Sequence, residues 1–179
     1  MRKRLSWCEF CLQVCIAALL TLSPPIAAAE TFYVAIDGDV ANVGSIQRPF
    51  AAIMRAQKVS GQGDTVFIRG STSRIQESQI TRQESIWAHV IRLDKSGTEC
   101  QRINDWFYED ERTVFDFSAV KPRGKRVRSF SMSDSWLHLR GIELIGVQVT
   151  IPTHTQSICF ANVGSHNIYE RQLSLHPHI

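Results

Sequence analysis

Only one stretch of this chain reads as a helix, and everything after it reads as short strands. The segment TFYVAIDGDVANVGSIQRPFAAIMRAQKVSGQGDTVFIRG, residues 31–70, gives a strand, a loop rich in Gly, Asn and Asp, one amphipathic helix and a second strand. Phe32, Val34 and Ile36 alternate onto one face of the first strand, and Val66 and Ile68 do so in the second, after a turn at Gly61, Gln62, Gly63 and Asp64. The helix is predicted between Pro49, near its first turn, and Gly61, which takes the left-handed conformation beyond its end. Ile53, Ala56 and Val59 form its apolar stripe, with Phe50 and Ala52 nearby and Arg55 and Lys58 outward. A lone helix of this kind at the head of a chain of short strands reads as a cap.

From Arg69 onward the apolar runs are too short for helices. They fall at 74–76, 86–93, 103–108, 114–117, 130–132, 136–145, 149–151 and 158–160, separated by polar turns. Such spacing fits a sandwich, a barrel or a β-solenoid. A weak repeat favours the solenoid: FSMSDSWLHLRGIEL from Phe130 lies beside ICFANVGSHNIYERQL from Ile158, an offset of about 28 residues and so within the solenoid range. Arg140 and Gly141 interrupt the first copy and predict a bend between two faces.

The order YVAIDGDVANVGSIQRPFAAIMRAQKVSGQGDTVFIRG, SGTECQRINDWFYEDERTVFDFSAV, SWLHLRGIELIG and GSHNIYE resembles the amino-terminal third of secreted pectate lyases of polysaccharide lyase family nine. The resemblance runs from about Thr31 to Glu170 and is most specific in RPFAAIMRAQ and GDTVFIRG. It implies an all-β, right-handed parallel β-helix with one N-terminal capping helix. It also implies calcium-dependent β-elimination on homogalacturonan, with clustered aspartates holding the metal and a lysine as base. That reaction needs a cation to neutralise the uronate carboxylate and a base within reach of the α proton. Nothing in this chain matches those family residues, so no catalytic, cofactor-binding or metal residue is assigned.

Departures from the family pattern are expected at Ser71–Arg74, where a Gly-Thr-Tyr-like strand start would stand, and at Glu99 and Cys100 in a turn usually built of small residues. The tail RQLSLHPHI, residues 171–179, reads as aberrant or disordered, and residues 30–170 as the N-terminal part of a β-helix domain cut before its catalytic coils. The alternative function is a non-catalytic carbohydrate-binding or surface β-helix module, for which Trp87, Trp106, Phe107, Tyr108 and Trp136 are the candidate aromatics.

Residues 1–29 read as a signal peptide: Arg2, Lys3 and Arg4, an apolar core from Val14 to Leu22, and Ala27–Ala29 before the cleavage point. That core is too short to span a bilayer. Removing the leader takes three of the 20 Lys+Arg and one of the 17 Asp+Glu, so the formal charge falls from +3 to +1. The leader implies secretion, with no transmembrane segment after cleavage; a monomer is expected, and the family resemblance implies pectate or another acidic plant polysaccharide as the partner. Nucleic acid is excluded, because no aromatics interleave with the basic cluster Lys121, Arg123, Lys125, Arg126 and Arg128 closely enough to stack on bases. That cluster reads as a solvated loop, the functional alternative being attraction of a polyanion.

Other chemistry-bearing residues carry bland readings. Asp37 and Asp39 around Gly38 read as a turn rather than a calcium loop, since the remaining ligands are missing. Asp116 is predicted to point outward, and Glu109, Asp110 and Glu111 to form a turn. His138, opposite Leu137 and Leu139, reads as an exposed or ladder residue, while His154, His166, His176 and His178 lack ligand spacing. Cys100 and Cys159, the cysteines beyond the leader, are equally compatible with a disulfide and with two small buried thiols.

Overall fold

The computed structural model describes residues 28–148, 157–170 and 175–176. The leader, the strand expected at 149–151 and most of the 171–179 tail lie outside these residues. Among these residues thirteen strands, one α-helix and one 3-10 turn (Glu77–Gln79) appear, the strands and α-helix in chain order being β1 (Thr31–Val34), α1 (Ile53–Val59), β2 (Thr65–Ile68), β3 (Ser71–Gln76), β4 (Arg82–Glu84), β5 (Trp87–Leu93), β6 (Ile103–Phe107), β7 (Thr113–Ala119), β8 (Arg126–Met132), β9 (Leu137–Arg140), β10 (Ile142–Ile145), β11 (Ile158–Asn162), β12 (Ile168–Glu170) and β13 (Leu175–His176).

They form three sheets, β1-β2-β6-β9-β12 (sheet A), β3-β7-β10-β13 (sheet B) and β4-β5-β8-β11 (sheet C). From β5 onward every third strand returns to the same sheet and pairs in parallel with the one a rung earlier, while β2 pairs with β6 and β3 with β7 across the extra strand β4, so the chain winds as a right-handed parallel β-helix. Rungs differ in length. Thr65 aligns with Asn104, 39 positions on, and His138 with Ile168, 30 positions on. Phe130 aligns with Phe160, also 30 positions on, rather than at the offset of 28 suggested by the serine-containing turns.

The interior is apolar. Val66, Phe117, Val127, Phe130 and Met132 are fully buried, and Phe130 meets Phe115 edge-on at a centroid distance of 5.5 Å and stacks on Phe160 at 6.5 Å. The corner between β9 and β10 is made by Gly141 at φ +72, where any Cβ would lie 1.7 Å from the Phe107 ring. The bend expected at Arg140–Gly141 is thus present, and only glycine fits it.

The helix differs from expectation in three respects. It starts at Ile53, four residues after Pro49, whose carbonyl instead accepts bonds from the Asp39 amide and the Asn42 side chain. Its end is fixed by side chains rather than by Gly61: Asp64 accepts the Gly61 amide, and Lys95 Nζ donates to the carbonyls of Lys58 and Ser60. Its buried stripe is Ile53, Ala56 and Gln57, while Val59 is 40% exposed. A seven-residue helix is too short to be stable alone, and packing on Phe50, Val34 and the first rung holds it in place. Ile36, expected to share the inward face, lies beyond β1 and is exposed.

A second covering element went unread. Strand β4 pairs antiparallel with β5 and closes the first edge of sheet C with Arg82, Gln83 and Glu84. Charged residues on an edge strand discourage pairing with another chain. The substituted positions Ser71–Arg74 still form strand β3, and Glu99 and Cys100 sit exposed in a bend. Among the tail residues, Leu175 and His176 pair with Leu144 and Ile145 of β10.

Candidate functional site

The strongest concentration of recognition-type side chains lies on the outer face of sheet A. Strand alternation turns Phe32, Val66 and Asp105 inward and therefore Tyr33, Phe67 and Trp106 outward, and parallel register stacks these three in one column. Tyr33 and Phe67 stack with centroids 5.7 Å apart, Trp106 meets Phe67 edge-on at 6.1 Å, and Tyr108, just past β6, is 5.7 Å from both Tyr33 and Phe67. All four rings are half-buried, so each offers part of its surface to solvent. Arg140 continues the column with its guanidinium 5.5 Å from the Trp106 ring and 5.1 Å from that of Phe107.

Polar groups border the column. The Arg69 guanidinium lies 4.8 Å from the Tyr108 ring and forks onto Glu111, whose carboxyl this pairing holds below its usual pKa. His138 meets the Trp106 edge at 5.2 Å. Burial lowers its pKa despite Glu170 at 3.5 Å, so the imidazole is neutral at neutral pH. At the preceding turn, Trp136 stacks on His166 with centroids 4.2 Å apart and planes 10° apart, and Arg102 lies 4.9 Å from the same indole.

The sequence-selected aromatics thus separate. Trp106 and Tyr108 belong to this face and Trp136 to its turn, Phe107 stands in register with buried Ile68 at the end of β6, and Trp87 is on sheet C. Tyr33 and Phe67 were not singled out. Their signal is the phase opposite to the apolar alternation that defines β1 and β2. His138, expected to be exposed or part of a ladder, is 12% exposed and lies against Trp106, in register with Asn104 and Ile168, and His166 is a stacking partner. His154, His176 and His178 lie outside the residues whose side chains are described.

One polar pair sits beneath this face. Asp105 is 1% exposed and accepts a 2.7 Å bond from Gln57 Nε2, while its other oxygen and Gln57 Oε1 have no hydrogen-bond partner among the described residues. Burial pushes the Asp105 carboxyl up to about 7, against the lowering effect of the Gln57 bond.

A calcium ion does not fit the residues described. Asp39 caps the Ala41 amide in an exposed turn, Asp105 is enclosed beside Gln57, and Asp116 accepts the Ser118 amide beside its own strand. Among the described residues no three His, Cys, Asp or Glu side chains come together to hold a metal. What the sheet A face can do chemically is bind: aromatic rings offer apolar surface and arginines offer charge.

The basic cluster is not the loop expected of it throughout. Lys121 and Arg123 are exposed in a turn, but Arg126 and Arg128 lie on β8 and project beside Trp87 on the outer face of sheet C. Cys100 and Cys159 are free thiols, the first exposed and the second half-buried, where burial raises its pKa. No described helix is long and apolar enough to cross a membrane.

Comparison with known proteins bears on this geometry. No curated protein matches the chain at a significant level. A solved structure titled rhamnogalacturonan lyase superposes with a TM-score of 0.74 at 33% identity, over 79% of this chain and 34% of its own. A crystal structure of pectate lyase Pel9A superposes with a TM-score of 0.55 at 22% identity, over 80% of this chain and 32% of its own, and bears on the fold alone. The chain therefore spans about a third of the length of these structures. The family described as Pel9A-like, right handed beta helix region, matches residues 32–178, and the chain belongs to that family.

Proposed function

We propose that this chain acts on acidic pectic polysaccharide as part of a lyase-type β-helix, and that its described residues contribute glycan binding rather than the elimination step. The observation that carries the reading is the outward column Tyr33, Phe67 and Trp106 with Tyr108 beside it. Ring faces of this kind pack against the C–H surfaces of a pyranose, and Arg140 at the end of the column suits a uronate carboxylate. The likeness to a rhamnogalacturonan lyase supports a pectic backbone as ligand. Secretion through the 1–29 leader and a monomeric state belong to the same proposal, as does calcium-dependent β-elimination as the reaction of the family, carried by residues other than the described ones. A non-catalytic carbohydrate-binding module is the second reading, favoured by the misfit between the described acids and a metal.

Native electrophoresis through gels containing polygalacturonate, rhamnogalacturonan or xylan tests the proposal, with unsaturated uronate absorbance followed in parallel. Retardation in the pectic gels and not in xylan is expected. Equal mobility in all gels overturns the proposal, and chelator-sensitive turnover by this chain overturns the assignment of its residues to binding alone.

A further inference from the structure

We propose that the outer face of sheet C carries a second glycan site, selective for carboxylates, in which Arg126 and Arg128 flank Trp87 and receive the uronate groups of an acidic polysaccharide. It rests on the reading above only for the identity of the polymer. Register places Trp87 opposite Arg126 and His89 opposite Arg128, so all four side chains share one face. The guanidinium carbons of Arg128 and Arg126 lie 4.1 and 5.5 Å from the Trp87 ring centroid. The other cations on this face have acidic neighbours: Arg82 pairs with Glu84 at 2.5 Å, Arg92 with Asp94 at 3.5 Å, and His89 has Glu84 at 3.5 Å. Arg126 and Arg128 differ. Among the described residues neither has a carboxylate within ion-pair distance, and the Nε of each is buried without a hydrogen-bond partner.

Two half-buried guanidinium groups, held against an indole and with no carboxylate within ion-pair distance among the described residues, form a preorganised anion receptor. Their planar donor forks match carboxylates two bonds at a time. Two residues apart on one strand, the arginines stand roughly 7 Å apart along the chain, which suits a polymer with repeating carboxylates better than a single small anion. The site is distinct from the sheet A column, where ring surface dominates and a single arginine, Arg140, stands at the end. A polyuronate can therefore touch the two faces through different chemistry.

The test compares Arg126→Gln/Arg128→Gln with Trp106→Ala/Tyr108→Ala on two polymers, polygalacturonate and its carboxyl-reduced, neutral counterpart. The arginine variant is expected to bind polygalacturonate about tenfold more weakly, with no change on the neutral polymer. The aromatic variant is expected to weaken on both. Arg126→Lys/Arg128→Lys, which keeps the charge but loses the fork, should recover only part of the affinity, and thermal unfolding verifies that each variant is folded. Unchanged polygalacturonate affinity in the arginine variant overturns this proposal while leaving the sheet A reading intact. Loss in the arginine variant with no effect of the aromatic pair does the reverse. A wild-type chain that binds neither polymer overturns both.

Discussion

Gln57 Nε2 donates a 2.7 Å bond to Asp105 Oδ1, and through it the capping helix is fastened to β6, the third strand of sheet A, from inside the stack. The bond explains why a glutamine occupies the buried stripe of α1 and Val59 does not. An inward-facing acid needs a donor, and the helix supplies it.

The same pair makes stability depend on pH. The native carboxyl titrates near 7, against an ordinary value of 3.8, so between these values the folded chain holds a proton that the unfolded chain releases. Stability from this group is complete at low pH and is lost as pH rises through about 7. Asp105→Asn removes the charge and keeps a polar partner. The melting temperature of the variant is expected to exceed that of the wild type by a margin that grows from pH 5 to pH 8, and parallel curves would refute the assignment.

Two glycines with the same backbone sign separate conformational from steric cost. Gly124 has φ +69 with nothing within 4 Å of an added Cβ, whereas Gly141 has φ +72 with the Phe107 ring at 1.7 Å. Gly124→Ala is expected to cost about 1 kcal/mol, and Gly141→Ala about 2–4 kcal/mol, because overlap adds to the backbone strain. Urea unfolding of the two variants measures the difference, and equal losses would place the corner elsewhere.

Arg112 bonds both oxygens of Glu143, at 2.9 and 2.8 Å, and the Glu143 side chain is only 11% exposed. Arg112→Met is expected to destabilise by about 1–3 kcal/mol, chiefly by stranding that carboxylate. Glu143→Gln in the same background should return much of the loss. A double variant no more stable than Arg112→Met would show that packing, not charge, is at stake.

How much of this was legible depends on what each residue signals. Apolar alternation located β2, short apolar runs located β5, β6 and β7, and Gly141 announced its own corner, because burial and positive φ leave local marks. Strand β4 left none: Arg82, Gln83 and Glu84 have no apolar member, and only the need to cover a sheet edge explains them. Arg126 and Arg128 looked like loop residues because cations on an outward strand face carry the same composition as a solvated turn. The sheet A column was half seen. Trp106 and Tyr108 stand out by residue type, but Tyr33 and Phe67 join them only through a register set by rungs of unequal length, 39 positions at one step and 30 at another. Gln57 and Asp105 are 48 residues apart, and no local pattern couples them.

Isothermal titration of a pectic oligosaccharide into the wild-type chain and into Trp106→Ala/Tyr108→Ala tests the central claim most directly. The account predicts measurable binding by the wild type and an affinity at least about tenfold lower in the variant, from loss of the two rings. Equal affinity in the two proteins, each shown to be folded, would contradict the claim that the outer face of sheet A holds the glycan.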